Sequence, residues 1–150
     1  MRVLALTCAL SLAGAGVATA DEPSRFVFEA AAQAFPITAT SGDWTAPPAQ
    51  IQVSLTGNAV TVRATNQTQT YVVELERHDG NPITPGTHTD QKVLVVNRNL
   101  GCRDTTADFT VDRLDLDGQG AVTAFDASVV HRCGNRQVNE LRATIHFAAR

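Results

Sequence analysis

From Ile51 to Glu76 the chain reads "IQVSLTGNAVTVRATNQTQTYVVELE", and its apolar residues fall at every second position. Ile51, Val53 and Leu55 alternate with Gln52 and Ser54, and after Gly57-Asn58 the same alternation resumes at Val60, Val62 and Ala64. Period-two alternation marks half-buried strands, and a Gly-Asn pair between two such runs tolerates the positive φ angles of a tight hairpin. A turn there sets Leu55 opposite Val60, Val53 opposite Val62 and Ile51 opposite Ala64. A second turn over Asn66–Gln69 brings Ala64 to Tyr71, Val62 to Val73 and Val60 to Leu75, extending one apolar face across a meander. The opposite, wet face carries Gln52, Arg63, Glu74 and Glu76.

Pro and Gly in "RHDGNPITPGTHTD" exclude a long regular element there. "KVLVVN" then reads as a short buried strand. "ADFTVDRLDLDGQGAVTAFDASVVHRC" predicts a hairpin around Asp117-Gly118-Gln119, with Gly118 or Gln119 left-handed, Val111 opposite Phe125 and Phe109 opposite Ala127. Its apolar face changes sides between Val111 and Leu114, which predicts a bulge. In "LRATIHF", Leu141, Ala143, Ile145 and Phe147 share a face, and the first three are expected opposite Val129, Ala127 and Phe125 in turn. Two meanders with one apolar face each predict an all-β, antiparallel two-sheet β-sandwich, with a closed β-barrel as the alternative. The single stretch with helical character is "EAAAQAF", Glu29 to Phe35, for at most two turns before Pro36.

The first twenty residues depart from this pattern. Arg2, an apolar run from Val3 to about Leu12 and a closing Ala18-Thr19-Ala20 predict a secretory signal peptide over residues 1–20, leaving 21–150 as a single domain. The run is about half of the ~20 residues that a membrane span needs, so no stable membrane insertion is expected after cleavage. Losing Arg2 takes the formal charge from −3 to −4, and no basic patch for nucleic acid remains. The expected location is periplasmic or fully secreted, and the arginine-rich, alanine-rich composition points to a bacterial genome.

Cleavage leaves Cys102 and Cys133, an even pair in an oxidising compartment, and such a pair predicts a disulfide. Their midpoint falls at the Asp117-Gly118 turn, so folding that hairpin brings them opposite each other to within a residue or two. The polar link Arg103–Asp108 then reads as a surface connection. No C-x-x-C or H-x-x-x-H spacing supports a metal site, and no cofactor is indicated. "DRLDLDGQG" resembles a calcium loop, but the first ligand position is Arg113 and the twelfth is Ala124, so a turn explains it.

Candidate ligand-binding residues are few. Trp44, in "SGDWTAPP", either meets a ligand from a loop or plugs one end of the fold. Glu74 and Glu76 lie on one strand face about 7 Å apart by the strand rise. A glycosidase pair has a similar spacing, although a solvated strand face has it too. No G-x-S-x-G or other catalytic constellation is present.

At "ITPGTHTD", "NLGCRDTTADFTV" and "VTAFDASVVHRCGN" the chain resembles a family of small secreted bacterial proteins with a Thr-Pro-Gly-Thr turn, a Gly-Cys, a Phe-Thr-Val strand and a Phe-x-Ala strand ending near a cysteine. His88 and Val129 stand where those relatives carry a tyrosine and an aromatic residue. The resemblance implies a secreted β-rich domain with Cys102 joined to Cys133, and it carries over no assigned activity, cofactor or catalytic residue. A weaker likeness is to the META and heat-shock lipoprotein-like envelope domains, with Arg103 replacing their usual asparagine. The function expected is a non-enzymatic binding or envelope-associated module whose partner is a protein or an envelope carbohydrate. The alternatives are a small secreted hydrolase and a secreted enzyme inhibitor presenting the loop "HDGNPITPG".

Overall fold

A computed structural model describes residues 22–37, 41–135 and 139–149. The signal-peptide segment lies outside them. Nine strands follow in order: β1 (Arg25–Ala30), β2 (Ser41–Thr45), β3 (Gln50–Thr56), β4 (Ala59–Thr65), β5 (Thr70–Glu76), β6 (Gly86–Asn97), β7 (Leu100–Leu116), β8 (Val122–Arg132) and β9 (Glu140–Ala148). All pairings are antiparallel, in one sheet ordered β2-β1-β9-β8-β7-β6-β5-β4-β3. The protein is therefore all-β, and one continuous, nearly closed sheet takes the place of two separate sheets. The barrel is the architecture of the two that the chain adopts.

The closure has a local cause. Passing round the sheet from β2 to β3 takes an even number of antiparallel steps, so these consecutive strands run in the same direction. They form one bent strand, whose first half pairs with β1 and whose second half pairs with β4. Between them lies Ala46-Pro47-Pro48-Ala49. Proline has no N–H to donate to a ladder, so the strand breaks there and changes partner.

The β3–β4 and β4–β5 registers are those the alternation predicts: Leu55 with Val60, Val53 with Val62, Ala64 with Tyr71 and Val60 with Leu75. The bulge after Val111 is present as well, because Val111 faces Ala127 while Arg113 faces Asp126. The β7–β8 pairing is also offset by two positions from the expected one, because the turn spans Asp117–Ala121 and centres on Gln119 and not on Gly118, so Phe109 faces Val129. β8 and β9 are shifted likewise, with Val129 facing Ala143 and Phe125 facing Phe147. A slip of two keeps every apolar residue on its face, so alternation alone does not distinguish these registers. The β7–β8 turn places Gly120, at φ 84°, in the left-handed region in place of Gly118 or Gln119.

Other expectations need correction. "EAAAQAF" is not helical: Glu29 and Ala30 end β1, and Ala31–Ala34 form a turn closed by the Ala34 N–H on the Ala31 carbonyl at 2.9 Å. "SRFVFE" carries its own alternation, and Phe26 and Phe28 are buried as one face of β1. That burial outweighs the weak helical tendency of so short an alanine run. β6 begins at Gly86, well before "KVLVVN", and the link Arg103–Asp108 lies within β7.

The inward residues of the strands form one core, dominated by Phe26, Phe28, Tyr71, Phe109, Phe125 and Leu141. β3 also lies against β8 and β9, so the barrel is flattened and its interior is filled by side chains. Among the described residues no helix is long and apolar enough to cross a membrane.

Candidate functional site

Trp44 lies in β2, not in a loop, opposite Phe26 across the β1 ladder. Its indole packs on Phe26 and Phe28 at centroid distances of 5.8 Å and on Tyr71 at 5.1 Å. Gly42 makes room for this cluster, because a Cβ there would come within 2.3 Å of the Phe28 ring. The ring is only half-buried, however, and its free side lines a hollow of about 300 Å³ with Asp43, Thr45, Pro48, Asn66 and Thr68. Trp44 is thus both a plug for the aromatic core and a wall of a surface hollow beside the bend between β2 and β3.

The β4–β5 turn that closes this hollow is held by its own side chains. The Asn66 carboxamide oxygen accepts the N–H of Thr68 at 2.9 Å and of Gln69 at 2.8 Å, while the Asn66 N–H donates to the Gln69 carbonyl at 3.0 Å. Such an Asx turn fixes the loop without tertiary help. Tyr71 then donates its hydroxyl to the Gln69 side chain at 3.2 Å, tying the aromatic cluster to the turn. Burial raises the pKa of this phenol, so it stays a donor through the physiological range.

Asn66, Gln67 and Thr68 also border a second hollow, of about 550 Å³, on the outer face of the sheet. Its floor is Val72 beside Val96, cross-strand neighbours on β5 and β6. Arg63 faces Val72 from β4, and Arg98 lies in the β6–β7 turn. Both arginines are exposed. The sequence placed Arg63 on the wet face, but nothing in it brought Arg98, thirty-five positions later in the chain, to the same hollow.

Glu74 and Glu76 lie on the outer face of β5 within a lattice of ion pairs. Arg103 reaches Glu74 at 3.2 Å and Glu76 at 3.5 Å, and Lys92 reaches Glu76 at 2.8 Å. The Lys92 ammonium, with help from Arg103, holds the Glu76 carboxyl below its ordinary pKa. A general acid requires the opposite shift. These carboxylates join β5, β6 and β7 across the surface and do not border the hollow at Trp44.

Cys102 and Cys133 are joined, with Cα atoms 5.9 Å apart. The bond lies where β7 has left the β8 ladder, whose pairing runs only from Asp108 to Leu116. Side chains replace the ladder in that stretch. Asp104, 1% exposed, accepts the Arg132 N–H at 2.6 Å with one oxygen and the Thr106 N–H at 2.9 Å with the other. His131, fully buried, donates from Nε2 to the Cys102 carbonyl at 3.1 Å, since a carbonyl only accepts. Burial pushes this imidazole below its ordinary pKa and keeps it neutral. Arg103–Asp108 is therefore an internally anchored strand segment and not a surface connection.

The loop "HDGNPITPG" is pinned at two interior points. Ile83 is buried in the core, and the Gly80 carbonyl accepts the Asn58 carboxamide at 2.7 Å. Asp79 accepts the Asn81 N–H at 3.0 Å, and chiefly that bond, joined by the Asn81 and Arg77 side chains, lowers its pKa to about 2. Comparison with family models, with curated proteins and with solved structures finds no match.

Proposed function

We propose that the protein is a secreted or periplasmic, non-enzymatic binding module that takes an envelope carbohydrate at the end of the barrel bearing the Asn66–Gln69 turn. One observation carries this reading: the chain's single tryptophan forms the wall of a surface hollow that a pre-formed turn of amide and hydroxyl side chains completes. An aromatic face packs on the C–H face of a sugar ring, and amides both donate to and accept from its hydroxyls. The turn is already ordered, so little conformational freedom remains to be lost on binding. The signal-peptide pattern and the disulfide support the location.

The test is titration of the exported protein with neutral and acidic envelope oligosaccharides, followed by Trp44 fluorescence and by calorimetry. Saturable binding that Trp44→Phe weakens at least fivefold, with the fold intact, is the expected result. No binding by any oligosaccharide ends the proposal. A second reading, a secreted inhibitor, draws support from the pinning of the loop at Ile83 and Gly80. It requires that a panel of secreted hydrolases include one inhibited by the protein but not by a Pro82→Asp variant, a change at an exposed position of that loop.

A further inference from the structure

Among the described residues most lysine and arginine side chains are paired with a carboxylate. Arg25 binds Asp43, Arg77 binds Asp79, Lys92 and Arg103 share Glu74 and Glu76, Arg113 binds Asp115, and Arg132 and Arg142 meet on Glu140. Among the described residues, Arg63 and Arg98 are the two lysine or arginine side chains with no carboxylate partner and no hydrogen bond. Both line the same 550 Å³ hollow. That volume lies within the roughly 300–1,000 Å³ of small-molecule sites.

The rest of the hollow has a matching character. Val72 and Val96 give it an apolar floor. Its rim is Thr65, Gln67, Gln69 and Asn99, all able to hydrogen-bond hydroxyls. Arg98 itself occupies the left-handed region at φ 51°, in a two-residue hairpin turn where asparagine or glycine fits more easily. An arginine kept in that conformation, without an internal partner, places its guanidinium over the hollow's edge at a cost to the turn.

We infer that the Arg63–Arg98 hollow is an anion subsite for an acidic oligosaccharide: the two guanidiniums hold a carboxylate or phosphate group of the sugar, and the adjoining ring lies over Val72 and Val96. This rests on the carbohydrate-binding reading above and specifies its substrate class. Arginine suits the task because its planar fork matches both oxyanions in a bidentate geometry. Asn66, Gln67 and Thr68 border both hollows, so one chain of sugars crossing the turn meets Trp44 on one side and the arginines on the other.

The experiment titrates the exported protein with oligogalacturonate, with its neutral methyl ester, with a phosphorylated mannose disaccharide and with hexaglutamate. The acidic sugars are expected to bind at least tenfold more tightly than the ester. Arg63→Gln and Arg98→Gln should each remove most of that preference, and Arg103→Gln, whose parent side chain is already paired, should leave it unchanged. Comparing the galacturonate with the phosphorylated sugar identifies which oxyanion the subsite prefers. If ester and acid bind equally, the anion subsite is wrong while the binding-module reading stands. Hexaglutamate binding as tightly as the sugars overturns the assignment in favour of an acidic peptide. If no sugar binds, both fail together.

Discussion

Replacing both Cys102 and Cys133 by alanine removes a cross-link spanning 31 residues. The folded barrel has independent links at the same place, because the Asp104 carboxylate and the His131 ring still join β7 to the end of β8. The native geometry should therefore persist, and the loss falls on the unfolded chain, which regains the freedom of a 31-residue loop. On the chain-entropy relation that freedom corresponds to about 3.5–4 kcal/mol at 25 °C. Domains of this size have roughly 5–15 kcal/mol in all, so the variant should fold but with a much reduced margin. Urea unfolding followed by Trp44 fluorescence measures it. With a slope of about 1–3 kcal/mol per molar, the midpoint should fall by roughly 1–4 M. A loss below about 1 kcal/mol at unchanged slope would refute the reasoning, since it would mean the cross-link hardly restricts the unfolded ensemble.

Asp104→Ala takes the acceptor from the part-buried Arg132 N–H, and by equilibrium unfolding it should cost about 1–3 kcal/mol. Gly42→Ala drives a methyl group into Phe28 and should cost about 1–3 kcal/mol, part of which Phe28→Leu restores in a double-mutant cycle. The Asp126 carboxylate, 2.5 Å from His146, raises that imidazole's pKa, so the pair stabilises fully below the unfolded value near 6.5 and fades as pH rises through the raised folded value. The stability gap between the parent and His146→Gln should accordingly be wider at pH 5.5 than at pH 9; a gap that widens with pH would contradict the assignment. Arg98→Gly relieves the left-handed arginine and should stabilise the fold by up to about 1 kcal/mol while abolishing the preference for acidic sugars, a separation that thermal melts and titrations read together.

The meander from Ile51 to Glu76 was legible because each strand has one wet face and tight turns fix its register. β7, β8 and β9 were legible as strands but not in register, since an offset of two residues leaves every apolar side chain on its face and so is not recorded by two-residue periodicity. β1 was obscured by the alanines that follow it, and β2 by its glycine and short length. Of the candidate residues, Trp44 borders a hollow, whereas Glu74 and Glu76 are occupied by Arg103 and Lys92, cations that lie in other strands.

By itself the sequence determined the all-β class, the wet and dry faces and the pairing of Cys102 with Cys133, all consequences of local alternation and of a simple count of cysteines. Tertiary structure decided the rest. Whether the apolar faces meet as two sheets or as one coiled sheet depends on a bent strand exchanging β1 for β4 at Pro47-Pro48, which is a long-range choice. Which arginines remain unpaired depends on which carboxylates the barrel brings beside the others, and that too is written only in the contacts between distant strands.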